Sequence, residues 1–173
     1  MHRFIALVAA LGLLFAGRPA AAETKVTISD THLCCGQCLR AVDTTLKDMA
    51  GVKFQSDQAA KTIEITADSD EAAQKAINAL ADAGFYGKLS NDKLAFKKVD
   101  AGDAAVQKLE LSGVHNCCGQ CTTSIKKAVT GVSGVSGTNV KARETGFAVE
   151  GNFKPGEVVK ALLDAGFYVQ VKK

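Results

Sequence analysis

His32-Leu33-Cys34-Cys35-Gly36-Gln37-Cys38 recurs, 83 residues further on, as His115-Asn116-Cys117-Cys118-Gly119-Gln120-Cys121. A second landmark, Asp82-Ala83-Gly84-Phe85-Tyr86, recurs at an offset of 82 as Asp164-Ala165-Gly166-Phe167-Tyr168. Two landmarks in the same order at nearly the same separation mark an internal duplication. The copies run over 24–98 and 106–173. Between them, 99–105 (Val-Asp-Ala-Gly-Asp-Ala-Ala) is small and polar enough to be a short linker.

Working outward from the cysteines, each copy reads the same way. Lys25-Val26-Thr27-Ile28-Ser29 alternates apolar and polar, as does Lys108-Leu109-Glu110-Leu111-Ser112. Alternation with β-branched residues predicts a half-buried strand before each motif. After it, Leu39, Val42, Leu46 and Met49 fall at helical spacing, matched by Thr122, Ile125, Val129 and Val132. Gly51, and Gly131 with Gly134, end those helices. Val52 and Phe54 open a second strand, and Lys61 to Thr66 alternates as a third; Gly146 to Glu150, with Phe147 and Val149 inward, takes that place in the second copy. A second helix carries Ala72, Ala73, Ala76, Ile77 and Leu80. Its counterpart opens at Pro155, a residue well tolerated at the first helical position, and turns Val158, Val159, Leu162 and Leu163 inward. Gly84 and Gly166 cap these helices. Last strands are expected over Tyr86–Leu89 and Tyr168–Val171, with an additional strand over Leu94-Ala95-Phe96 in the first copy. The order β-α-β-β-α-β, twice, predicts an α+β chain of two tandem ferredoxin-like domains, each with two helices on one face of an antiparallel four-stranded sheet.

The first residues have the layout of a secretory signal peptide. Met1-His2-Arg3 is a positive head, Phe4 to Ala16 an uncharged apolar run, and Ala20-Ala21-Ala22 a small-residue cleavage site. The run is shorter than the roughly 20 residues that span a bilayer. Residues 1–22 are therefore expected to be removed, leaving a secreted or periplasmic protein with no further membrane attachment. Loss of Arg3 and Arg18 leaves 19 basic against 18 acidic residues. So balanced a chain, without Trp and without a Lys/Arg stripe, offers no nucleic-acid surface. No general acid/base pair, nucleophile triad or phosphate loop is present, and no enzymatic activity is expected.

All six cysteines, and both histidines beyond the leader, lie in the two matched motifs. Cys35 and Cys38, and likewise Cys118 and Cys121, are three apart at the start of a helix, where their sulfurs can converge on unpaired backbone N–H groups and a positive dipole end. Both features favour thiolate, the form that binds soft ions such as Cu(I), Zn(II), Cd(II) or Hg(II). Cys34 and Cys117 offer a third sulfur, and His32 and His115 a nitrogen, so a closed tetrahedral site is within reach of each motif. Neighbouring cysteines diverge in extended chain, so Cys34 need not reach the ion held by Cys35. The same C-x-x-C pairs also suit thiol–disulfide exchange, or, in an oxidising compartment, a disulfide-locked interaction module. Against exchange stands the scarcity of proline, confined to Pro19 and Pro155.

With these residues in view, the chain resembles the heavy-metal-associated (HMA) domain family, the small ferredoxin-like modules of copper chaperones, periplasmic mercury-binding proteins and the N-terminal tails of metal-pumping ATPases. Cys35-Gly36-Gln37-Cys38 and Cys118-Gly119-Gln120-Cys121 match the family's Cys-x-x-Cys, and Ala83-Gly84-Phe85 and Ala165-Gly166-Phe167 match its Ala-Gly-aromatic ending of the second helix. The resemblance implies one metal ion per domain, held by Cys35/Cys38 and Cys118/Cys121, and hand-over to a metal transporter or another thiol-bearing acceptor. It also implies that residues of the Ala-Gly-aromatic loop lie beside the metal, while core packing is expected for at least one of Phe85 and Tyr86 and at least one of Phe167 and Tyr168. Departures are Leu33 and Asn116 at the family's Met position, His32 and His115 at its Gly position, and the extra Cys34 and Cys117. Doubled cysteines at this loop resemble zinc-pump domains and shift the expected metal toward Zn(II) and Cd(II), against the family's more usual Cu(I).

Overall fold

The computed structural model describes residues 23–172. The leader expected over 1–22 lies outside the described residues. In the first domain the elements are β1 (Thr24–Ser29), α1 (Gly36–Leu46), β2 (Val52–Asp57), β3 (Thr62–Ala67), α2 (Asp70–Asp82) and β4 (Lys88–Leu89). The second repeats them as β5 (Val106–Ser112), α3 (Gly119–Thr130), β6 (Val135–Thr138), β7 (Phe147–Phe153), α4 (Pro155–Asp164) and β8 (Gln170–Val171). The sheets run β2-β3-β1-β4 and β6-β7-β5-β8, antiparallel throughout. These are two tandem ferredoxin-like α+β domains.

The period-2 patterns decide which sheet face is covered. Val26 and Ile28 on β1 and Ile63 and Ile65 on β3 are buried, as are Leu109 and Leu111 on β5 and Phe147 and Val149 on β7. Register places Val26 opposite Ile65 and Leu109 opposite Val149, so each pair packs on the same face. The helices lie over this face with Val42, Leu46, Ala73, Ala76, Ile77 and Leu80, and with Ile125, Val129, Val158 and Leu162. Ser69 caps α2 by accepting the Ala72 N–H at 3.1 Å. Among the described residues no helix is long and apolar enough to cross a membrane.

The structure departs from the sequence expectations at three places. The buried stripe of α1 begins at Cys38 and not at Leu39, and that of α3 at Cys121 and not at Thr122. Cysteine here fills a core position one residue before the expected one, and so the site residue itself faces inward. The last strands are only two residues long, because Tyr86 and Tyr168 spend their backbone elsewhere, as described below. Leu94-Ala95-Phe96 is not a strand: Gln74 satisfies both polar groups of Ala95, donating to its carbonyl at 2.7 Å and accepting its N–H at 3.1 Å, which leaves no need of a ladder.

Candidate metal centre

The two domains meet along a seam made by the second landmark. The Tyr86 N–H donates to the Gly166 carbonyl at 3.2 Å, and the Tyr168 N–H to the Gly84 carbonyl at 3.0 Å. Phe85 and Phe167 face each other as an antiparallel bridge. Both glycines have positive φ, +85° and +84°, as the cap at a helix end requires. They also admit the other domain: a Cβ on Gly84 would lie 2.1 Å from the His115 nitrogen, and one on Gly166 would lie 2.4 Å from that of His32. Phe85 then stacks on His115, centroids 4.4 Å apart, and Phe167 on His32 at 4.3 Å. These contacts pair up under a pseudo-two-fold axis.

On that axis the cysteine loops face each other. Cys35 and Cys118 are the N-cap residues of α1 and α3, extended at φ −158° and −151°, and neither side chain caps its helix. The first-turn N–H groups are thereby left for sulfur. Within each motif Cys34–Cys38 is 3.7 Å and Cys35–Cys38 is 3.9 Å, against 3.7 Å for Cys117–Cys121 and 3.8 Å for Cys118–Cys121. Between motifs the sulfurs are as close: Cys34 lies 3.6 Å from Cys118 and 3.4 Å from Cys121, Cys35 lies 3.8 Å from Cys117 and 4.0 Å from Cys118, and Cys38 lies 3.8 Å from Cys117. Cys34 does reach the neighbourhood of Cys35, since both fall with Cys38 inside 4.8 Å. His32 offers a nitrogen within 4.8 Å of Cys34 and Cys121, and His115 one within 4.8 Å of Cys38, Cys117 and Cys121. The Nε2 atoms of both histidines are buried without a hydrogen-bond partner. All eight predicted residues therefore gather in one place, where the sequence suggested two. All six thiols are free.

Sequence identity agrees with the motifs. Oxidized MerP from Ralstonia metallidurans CH34 is 30% identical to this chain, which covers 97% of it; the match spans 39% of this chain, with a TM-score of 0.36. The chain belongs to the heavy-metal-associated (HMA) domain family. The N-terminal soluble domains of Bacillus subtilis CopA are 19% identical over 88% of this HMA chain and 95% of theirs, with a TM-score of 0.32. The water-soluble region of the P-type ATPase CopA from Bacillus subtilis is 17% identical over 88% and 93%, with a TM-score of 0.31. No family model matches the chain.

In this pair of HMA domains the sulfurs are not equivalent. Cys38 and Cys121 are 0% exposed, while Cys34, Cys35, Cys117 and Cys118 are half-buried. A cleft of about 900 Å³ leads from solvent to Cys35, Cys117 and Cys118 between Arg40 and Arg143. The sulfurs thus line a chamber that is open at Cys35, Cys117 and Cys118 and closed at Cys38 and Cys121. Cys118 is lowered to about 7, first by the favourable influence of the Cys121 backbone N–H at the start of α3. Burial raises Cys34 and pushes Cys117 up to about 12. The neighbouring Cys121 thiol lowers Cys38, and the same neighbourhood, with burial, raises Cys121. Desolvation lowers His32, which keeps its imidazole neutral and available as a donor. Sequence reasoning missed the seam, the two arginines at the mouth and the joining of the sites. The paired Ala-Gly-Phe-Tyr landmark was the available signal for the seam.

Proposed function

We propose that this protein is exported, captures soft metal ions in its cysteine chamber, and releases them by ligand exchange to a metal transporter or another thiol-bearing acceptor, without catalysing a reaction. The observation that carries this reading is the convergence of six thiols, 3.4 to 4.0 Å from their neighbours, with two histidine nitrogens beside them. Metal–sulfur bonds of about 2.3 Å set neighbouring sulfurs around a shared tetrahedral ion about 3.8 Å apart, which these distances match. Thiolate and imidazole donors favour Cu(I), Zn(II), Cd(II) and Hg(II) over hard ions. The simplest loading is one ion per domain, with Cys35/Cys38 and Cys118/Cys121 as the leading ligands and Cys34, Cys117, His32 and His115 completing the coordination. Export rests on the leader-like residues 1–22. The cleft past Arg40 and Arg143 gives an acceptor thiol a route to Cys35 and Cys118.

Anaerobic titration of the reduced, leaderless chain with Cu(I), and separately with Zn(II), against competing chelators tests the reading. At least two ions per chain are expected, with none retained when all six cysteines are replaced by serine. A reduced chain that binds neither ion overturns it. Turnover of insulin disulfides by the metal-free chain would instead establish thiol–disulfide exchange.

A further inference from the structure

The six sulfurs have a defined shape. Besides the close pairs given above, Cys34/Cys35, Cys117/Cys118 and Cys38/Cys121 lie within 4.8 Å. The pairs outside these contacts are Cys34/Cys117, Cys35/Cys121 and Cys38/Cys118. Each sulfur thus has four neighbours and one opposite, which is the connectivity of an octahedron. Its triangular faces include Cys34/Cys35/Cys38, Cys35/Cys117/Cys118, Cys38/Cys117/Cys121 and Cys34/Cys118/Cys121. These alternate faces share corners but no edges, and each sulfur belongs to two of them.

We infer that the chamber holds a single tetranuclear Cu(I)–thiolate cluster, with one Cu(I) on each of these four faces and every cysteine sulfur bridging two ions. This rests on the soft-metal reading above and adds to it the number of ions and their joint coordination. Bonds of about 2.3 Å to a trigonal ion put its sulfurs about 4.0 Å apart, close to the nine octahedron edges of 3.4 to 4.0 Å, the remaining three lying within 4.8 Å. Cu(I) accepts three soft donors. Zn(II) requires a fourth ligand per ion, and the two histidines are too few to supply one to every face. In forming the cluster four Cu(I) ions displace the protons of six thiols; copper stays Cu(I), no sulfur is oxidised, and the product carries two negative charges. Arg40 and Arg143 at the mouth carry the opposite sign. Four of the six sulfurs are only half-exposed and the other two fully enclosed, and the stacked His32–Phe167 and Phe85–His115 pairs adjoin them. Water is therefore held away from most of the cluster.

Native mass spectrometry of the reduced, leaderless chain during anaerobic Cu(I) addition against a Cu(I) chelator reads the stoichiometry, and X-ray absorption reads the neighbours of each ion. The cluster predicts that states with zero and about four Cu(I) dominate over intermediates. It also predicts a Cu–Cu scattering shell and the luminescence of solvent-shielded Cu(I)–thiolate clusters. Cys34→Ser with Cys117→Ser leaves both Cys-x-x-Cys pairs and should cut the loading to about two ions, with the Cu–Cu shell lost. Saturation of the unmodified chain at two independent ions without a Cu–Cu shell overturns the cluster and leaves soft-metal capture standing. Unchanged loading in the double variant also overturns it. Failure to bind Cu(I) at all removes both readings.

Discussion

The two cysteine loops place their sulfurs alike on unlike supports. In the first domain, Leu33 precedes Cys34 and is 2% exposed, an apolar plug under the loop. Gln58, from the tight hairpin between β2 and β3, donates to the Cys34 carbonyl at 3.1 Å. In the second domain the equivalent residue is Asn116, 4% exposed. Its amide donates to the Lys141 and Glu144 carbonyls at 2.7 and 3.1 Å, its side-chain oxygen accepts from the Thr122 hydroxyl at 2.8 Å, and its carbonyl accepts the Arg143 N–H at 2.8 Å. The chain between β6 and β7 is longer than the hairpin between β2 and β3, and Asn116 ties it down. One copy thus holds its loop by burying hydrocarbon and the other by a satisfied polar knot. The sulfur geometry is the same, so it is set by what the copies share: the strand, the helix start and the seam between domains.

Exchanging the two residues breaks the comparison most severely. Leu33→Asn loses apolar burial and encloses an amide with no carbonyls positioned for it, and should cost roughly 3 kcal/mol or more. Asn116→Leu keeps an apolar group inside and frees carbonyls of the exposed residues Lys141 and Glu144, which water can solvate. It should cost roughly 1 kcal/mol. Urea unfolding of the metal-free chain, monitored for each domain by amide exchange, measures both. Equal losses would mean that the two loops are not supported differently.

The seam gives the next effect in size, and here the domains should respond alike. Gly84→Ala and Gly166→Ala each place a methyl on a residue with φ near +85° and drive it against backbone of the other domain. Roughly 2 kcal/mol is expected for each, together with greater solvent access to Cys38 and Cys121, which face the core of their own domains and are also covered by the other domain through Cys117 and Cys34. Alkylation of those two thiols, mapped by peptide mass, should rise in both variants. Protection unchanged from the parent would show that the enclosure of the sulfurs does not depend on the seam.

Periodicity made most of each domain legible, because a strand or helix stripe reports the core of its own copy. β1, β3, α2 and their counterparts follow the alternation of Val26 and Ile28, of Ile63 and Ile65, and the stripe through Ile77 and Leu80. The same signal is silent on which surfaces of two finished domains meet. Gly84, Phe85 and Tyr86 look like a helix end leading into a strand, yet Tyr86 donates to Gly166 across the seam, and β4 is reduced to Lys88–Leu89. The eight candidate ligands could be picked out by residue type and spacing. Their union into one chamber could not, since His32 lies against Phe167 and Cys34 against Cys121 only after both domains are built.

The smallest effect sharpens the comparison at the ligands themselves. Gln58 is exposed, and its bond to the Cys34 carbonyl competes with water. Gln58→Ala should therefore lower global stability by only about 0.5 kcal/mol. Local freedom is more sensitive: that energy corresponds to a ~2-fold larger open population of the loop. In the reduced, metal-free chain Cys34 should be alkylated ~2-fold faster, while Cys117, whose loop is held through Asn116 and Arg143, keeps its rate. Burial raises both thiols, so their parent rates are slow and a change in access is readable. A rise at both cysteines would mean that the loops open together, governed by the seam, and that the unequal supports have no local consequence.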